Sequence, residues 1–262
     1  MFQILYQPIL NALILFYNLL FSNLGLAIIA LTGAIKLLLV PLTTPQLKST
    51  QKLQEINPEL EKLKKKYKDD KQKLAQAQME LYRKHGLNPA AGCLPQVLQI
   101  FILLSLYQVF NQVIKPGAEV ATKISQSLYP FVSKPTSLNL NFLYLDLAKP
   151  DLIQIPGLIA VPGVFVILAA VLQFISSKMM SPLVKTEEKI AKKTEEKGDD
   201  MAAAMQKQML YIFPIMTLIF GYTMPSGVIL YWFAFSLFSF IHQLVISKKE
   251  IFNFLQVKKK EN

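Results

Sequence analysis

Few side chains in this sequence are suited to covalent chemistry. It holds one cysteine, Cys93, and two histidines, His85 and His242. The pair that most resembles a nucleophile and its base is Ser226 with His242. Sixteen residues separate them, about 24 Å along one helix at 1.5 Å per residue. Hydrogen-bond reach is about 3 Å, so no Ser–His nucleophile is expected. A single cysteine excludes an internal disulfide, and no Cys or His cluster offers a metal site. No GxxxxGK followed by Ser or Thr occurs, and HExxH is absent. These absences predict no enzyme activity, no nucleotide or other cofactor, and no metal.

What remains is a cation in an apolar run. Lys36 lies well inside Leu24–Thr43, where it is the only charge. A lysine near the middle of a bilayer costs about 2.5–3.5 kcal/mol, so it is a functional hypothesis by default. The bland reading is that its long side chain snorkels to the nearby interface. Polar company is available elsewhere. The run Cys93–Ile114 carries Gln96, Gln99, Ser105, Gln108, Asn111 and Gln112, and a third run ends in Gln173, Ser176 and Lys178. Amides inside spans usually bridge helices, each contributing about 0.6–2 kcal/mol. Six polar side chains in one span exceed what such bridging commonly needs.

Composition says what must position these groups. Of 262 residues, 52% are hydrophobic, while the 17% that are charged gather into a few blocks. About 20 apolar residues are needed to cross a bilayer. The candidate spans are about 24–43, 93–114, 157–176, 209–223 and 228–246, which predicts an all-α polytopic membrane protein. The net charge of +11 points to placement rather than to nucleic acid. Lys and Arg outnumber Asp and Glu by 11 to 6 over Thr43–Gly92, by 7 to 6 over Ser177–Lys207 and by 5 to 2 after Ile246. Over Ile114–Gly157 the balance is only 4 to 3. The positive-inside rule therefore puts the first three segments in the cytoplasm and the last outside. Five spans then fit an outside N-terminus and a cytoplasmic C-terminus.

Residues 1–23 carry no charge, so they lack the basic region of a signal peptide. Gln3, Gln7, Asn11 and Asn18 fall near one helical face, which predicts an outer interfacial amphipathic helix with a wet amide face. Residues 44–92 read as a cytoplasmic helical hairpin. Asn57-Pro58-Glu59 looks like a helix start with Asn57 as N-cap, followed by Ile56, Leu60, Leu63 and Tyr67 at helical spacing. Asp69-Asp70 mark a second start, and Gly86 a stop. The hairpin's Lys-rich faces suit solvent, anionic headgroups or ribosomal RNA. Residues 115–156, with five prolines, read as a partly ordered outer lid with short helices. Residues 177–208 contain the mixed-charge run Lys185–Asp200, expected to be a solvated, mobile helical loop. Met224-Pro225-Ser226-Gly227 makes a tight outer turn, the fourth span is short and contains Pro214, and 247–262 is a basic cytoplasmic tail.

Taken in order, several short motifs resemble the YidC-type membrane protein insertases. They are Lys36-Leu-Leu-Leu-Val-Pro41-Leu42-Thr43, Gln46, Ser49, Asn57-Pro58-Glu59-Leu60, Tyr67, Leu81-Tyr82, Asn88-Pro89, Gly92-Cys93, Pro95, Gln99 and Leu106-Tyr107. Asp146-Leu147-Ala148-Lys149-Pro150-Asp151, Pro225-Ser226-Gly227 and Leu230-Tyr231-Trp232 complete the set. The resemblance implies a five-span core, 24–246, around a hydrophilic groove open to the cytoplasm and to lipid. It implies the short form, without a large extracytoplasmic domain, in the cell membrane. Groove residues carry over to Thr32, one turn before Lys36, and to Tyr231 and Trp232, with Gln99 and Gln173 as candidate opposing walls. Two positions depart from the family: Lys36 stands where it has an arginine, and Phe101 where a proline is usual after Gln99.

The implied function is insertion and folding of membrane proteins, without ATP hydrolysis of its own. The implied partners are nascent membrane proteins and anionic lipids, with the ribosome and the Sec translocon as further candidates and a monomer as the expected state. Two other classes fit the residues less well. A small solute transporter or channel would commonly show paired halves, and no internal repeat is visible. A non-catalytic assembly subunit would use its amides only to join helices.

Overall fold

The computed structural model describes residues 2–67, 70–87, 94–114, 126–135, 137–157, 159–180 and 211–260. The helices are α1 (Phe2–Leu19), α2 (Leu24–Glu55), α3 (Asn57–Lys66), α4 (Lys71–Lys84), α5 (Leu94–Ile114), α6 (Val164–Met180), α7 (Tyr211–Gly221) and α8 (Ser226–Lys260). Among the described residues, Leu24–Ser49 of α2 and Ser226–Ser247 of α8 are long and apolar enough to cross a membrane, and α6 and α7 supply shorter apolar helices. The chain is thus mostly helical and membrane-compatible. Helix α2 does not stop at Thr43 as the apolar run suggested; it continues through Pro41 and Pro45 to Glu55. A proline forfeits one backbone bond, and beyond Pro45 good helix formers resume. Thr44 donates its hydroxyl to the Val40 carbonyl at 2.7 Å, one way that Ser and Thr serve backbone groups near helix prolines. Helix α8 likewise continues from the span into the tail without a break.

The chain divides into two compact units. The first comprises Met1–Leu39, Leu98–Phe174 and Ile212–Ile241. Its core takes Ile9, Leu10, Leu13, Ile14 and Tyr17 from α1, Leu24, Ala27, Ile28 and Leu31 from α2, and Leu106, Val109 and Phe110 from α5. These positions follow helical spacing. Among the α1 amides, Gln7 and Asn18 are exposed, while Asn11 is buried and both Asn11 and Asn18 bond protein backbone. Asn11, 3% exposed, donates to the Ser127 carbonyl at 2.9 Å and accepts from Tyr129 N–H at 2.6 Å. Asn18 donates to the Ser133 carbonyl at 2.7 Å. A coil covering a helix has peptide groups to satisfy, and the amide row of α1 answers that need.

Before α6 the chain forms two antiparallel pairs, and residues 126–127 are helical. Strand β1 (Asn141–Phe142) pairs with β2 (Leu145–Asp146), and β3 (Leu152–Ile153) with β4 (Val161–Pro162). Strand β4 occupies the start of the predicted third span, so α6 begins only at Val164. Residues 115–125 lie outside those described. Between the pairs sits Asp151, 2% exposed. Its Oδ2 accepts from Phe165 N–H at 3.1 Å and Val166 N–H at 3.4 Å, and its Oδ1 from the Tyr144 hydroxyl at 3.0 Å. Asp151 therefore caps α6 from outside its sequence neighbourhood, satisfying N–H groups that have no partner within the helix. The same segment serves α8. The Lys149 and Leu147 carbonyls accept from Ser226 N–H (2.7 Å) and Gly227 N–H (3.1 Å), and the Ser226 hydroxyl donates to the Asp146 carbonyl at 2.7 Å.

The second unit comprises Val40–Val97, Ile175–Tyr211 and His242–Asn262. Within it α3 and α4 form the predicted antiparallel hairpin, closed by Ile56, Leu60, Leu81 and Leu87 with Leu63 and Tyr82 against them. The N-cap of α3 is Ile56, not Asn57; its carbonyl accepts from Leu60 N–H at 3.1 Å. Burying the Ile56 side chain in the small core sets the entry point. Asp70 caps α4 by accepting from Lys73 N–H at 3.0 Å, as predicted. Gly86, at φ +65°, ends that helix. There Leu87 N–H reaches back to the Tyr82 carbonyl at 2.8 Å, the wrapped-back bond that a left-handed residue permits. Asp69, the Asn88-Pro89 and Gly92-Cys93 motifs, and the loop 181–210 lie outside the described residues.

Candidate functional site

Within the first unit Lys36 meets α8. Its Nζ lies 3.6 Å from the centroid of the Phe235 ring, a cation–π contact of about 0.5–2 kcal/mol, more when dry. The contact is made where α2 and α8 lie side by side. One turn earlier, a Cβ at Gly33 would lie 3.5 Å from the far edge of the Phe238 ring, an ordinary packing contact. Sequence reasoning missed Phe235. Its signal was position alone: four residues past Tyr231, it shares that residue's helical face.

From Phe235 the chain of contacts continues inward. The Phe235 and Tyr231 ring centroids are 6.1 Å apart, and Gln99 Nε2 donates to the Tyr231 hydroxyl at 2.8 Å. Tyr231 is 1% exposed. Gln99 Oε1 is buried without a hydrogen-bond partner among the described residues. An unpaired buried amide oxygen costs free energy. Lys36, Phe235, Tyr231 and Gln99 thus form one connected row from α2 through α8 to α5.

The other predicted residues fall elsewhere. Thr32 is fully buried, and its hydroxyl donates to the Ile28 carbonyl of its own helix at 2.6 Å. Gln173 Oε1 accepts from the buried Thr217 hydroxyl at 2.8 Å, joining α6 to α7. Trp232 packs toward α7, its ring 6.0 Å from Phe220. Gly221 of α7 admits Val166 so closely that a Cβ there would lie 2.6 Å from a valine methyl. Gln173 and Trp232 are therefore tied to α7, and Lys36, Tyr231 and Gln99 to the α2–α8–α5 row. Among the described residues no group of three His, Cys, Asp or Glu side chains could hold a metal.

The sequence model of the family described as "60Kd inner membrane protein" matches residues 15–253. A relative in Fusobacterium nucleatum subsp. nucleatum, called membrane protein insertase YidC, is 35% identical over 228 residues, 87% of this chain and 88% of that protein. The chain belongs to the YidC family. A YidC of Clostridium tetani is 32% identical over 226 residues, covering 86% of this chain and 81% of its own length. A longer YidC of Dinoroseobacter shibae is 36% identical over 232 residues; these are 88% of this chain but 35% of that protein. Within the YidC family this chain thus matches both compact members and part of longer ones.

Proposed function

We infer that this protein is a membrane protein insertase of the cell membrane that also assists folding. The observation that carries the reading is the match to YidC insertases over most of both chains. We further propose the finer picture. Five spans surround a hydrophilic groove open to the cytoplasm, with the N-terminus outside and the C-terminus inside. Lys36, Thr32, Gln99, Gln173, Tyr231 and Trp232 line or support that groove. The amphipathic α1 lies along the outer face, and the Lys-rich hairpin and tail meet anionic lipids and the ribosome, with the Sec translocon beside them.

The physical logic is a shortened barrier. A substrate helix gains about 25 cal/mol for each Å² of apolar surface removed from water, while its polar flank resists entry. A wet half-depth groove reduces the apolar distance that flank must cross. The Lys36 ammonium rests on an aromatic face and, among the described residues, has no carboxylate partner. An acidic flank can draw it away at a cost of about 0.5–2 kcal/mol. Gln99 Oε1 offers an acceptor to a substrate donor. Neither step needs ATP. The amide bonds to Tyr231 and Thr217 show that Gln99 and Gln173 also join helices, so their substitution alone does not separate the two roles.

Lys36 does. Arginine keeps both the charge and the ability to stack on a ring, so Lys36→Arg retains insertion in a depletion strain. Lys36→Ala and Lys36→Glu impair it at unchanged protein level. Equal complementation by all three variants would remove Lys36 from the mechanism.

A further inference from the structure

Two turns in the first unit break the ordinary rule for turn residues. Leu143, at the tip joining β1 to β2, has φ +53°, and Phe21, between α1 and α2, has φ +54°. The left-handed region favours Gly, Asn or Asp; for a bulky apolar residue it is unusual. Both side chains are also thrust outward, Leu143 78% exposed and Phe21 90% exposed. Backbone preference and hydration thus both oppose these residues in water. In lipid, the second objection reverses sign.

The two tips belong to one place in the fold. Phe142, next to Leu143, packs so tightly on α2 that a Cβ at Gly25 would lie 2.1 Å from its ring. Gly25 is one helical turn past Phe21. On its other side the β1–β2 tip leans on α6: the Tyr144 ring stacks on Phe165 at 5.9 Å, and the Tyr144 hydroxyl accepts from Val164 N–H at 3.1 Å. Below that contact α6 presents Val164, Ile167, Leu168 and Val171 outward at helical spacing. This apolar stripe on a membrane protein's helix needs lipid as its solvent, and the tip stands at the stripe's end.

Charge agrees with that placement. Met1–Asn23 and Ser137–Leu145 contain no charged residue. The first charges after the tip, Asp146 and Lys149, pair with each other at 2.8 Å. An amphipathic Tyr144 between an apolar tip and a polar cap is the arrangement favoured at a membrane–water boundary.

We propose that Leu143 and Phe21 are paired lipid anchors, inserted into the headgroup–acyl boundary where α2 and α6 begin. They fix the outer ends of those helices at a set depth. The partner is the lipid surface itself, not a protein. The proposal rests on α2 and α6 being spans, and it is independent of the groove.

The test reads immersion rather than insertase activity, so failure of one does not imply failure of the other. Leu143→Cys, Phe21→Cys and, as control, the exposed strand residue Asn141→Cys are made in a Cys93→Ser protein. Each carries a nitroxide label and is reconstituted into phosphatidylcholine–phosphatidylglycerol vesicles. At 143 and 21 we expect relaxation by dissolved oxygen to exceed that by a water-soluble nickel chelate several-fold, with the order reversed at 141. Nickel access at 143 or 21 equal to that at 141 would overturn the paired anchor, since the tip would then be in water. Exclusion of both reagents would overturn it as well, by showing a protein surface over the tip.

Discussion

Asp151 makes the energetics of the start of α6 measurable. The residue is 2% exposed, and its described partners are one hydroxyl and the N–H groups that open α6. Replacing it by alanine removes two bonds of ordinary length, at 3.0 and 3.1 Å, and a longer one at 3.4 Å. Hydrogen bonds to a charged acceptor contribute about 1.5–3 kcal/mol each, and the longest is discounted for its geometry. Relief of the buried carboxylate's desolvation offsets part of the loss, and the half-exposed Tyr144 can turn to water. The net expectation for Asp151→Ala is about 2–4 kcal/mol of lost stability. Asparagine keeps one acceptor for the helix N–H groups, so Asp151→Asn loses only about 1 kcal/mol. The assay is unfolding of the purified protein by SDS in mixed micelles, followed by the fluorescence of its single tryptophan and by circular dichroism. An Ala variant within about 0.5 kcal/mol of the parent would refute the cap reasoning. So would an Asn variant as damaged as Ala, which would place the effect in the charge rather than in the acceptor.

Two further outcomes follow from the same end of the fold. Gly25→Ala puts a Cβ 2.1 Å from the Phe142 ring, and its near atoms include Phe142 Cβ, so the whole strand must shift. In the same SDS titration this overpacking lowers stability by about 1–3 kcal/mol, whereas Gly86→Ala, open in space but at positive φ, perturbs only the α3–α4 hairpin. The Lys149 ammonium, hydrogen-bonded to Asp146, holds that carboxyl below its ordinary range. A lowered folded-state pKa means stabilisation present above the unfolded value and lost as pH falls through the folded one. Acid stability in that window therefore becomes less pH-dependent in Lys149→Met. The effect is small, because both groups are largely solvated, and it fades at high salt.

How much of this was legible in the residues differs from element to element. The hairpin was readable because its signals are local: apolar spacing along α3 and α4, an Asp70 carboxylate three residues before the N–H it binds, and Gly86 where the chain needs positive φ. Asn57 was misread as a cap because the choice between it and Ile56 depends on which side chain enters a core shared with α4. The end of α2 was misplaced because a hydropathy boundary is not a helix boundary. The strands before α6 were missed because each is two residues long, too short to show any period.

The same division holds for the functional residues. The sequence by itself determined that the chain is a helical membrane protein, that Lys36 is a charge inside an apolar run, and, through its ordered motifs, which family it resembles. Composition and period report the solvent a segment requires, and those requirements are carried by each residue alone. Only the tertiary structure decided that Lys36 rests on Phe235, that Tyr231 joins this row to Gln99, and that Gln173 and Trp232 turn to α7. It likewise decided that Asn11 of α1 binds backbone and that Asp151 caps a helix beginning thirteen residues later. Those facts are pairings between distant groups. They are set by how helices cross and which buried polar atoms lack a partner, and no local pattern encodes either.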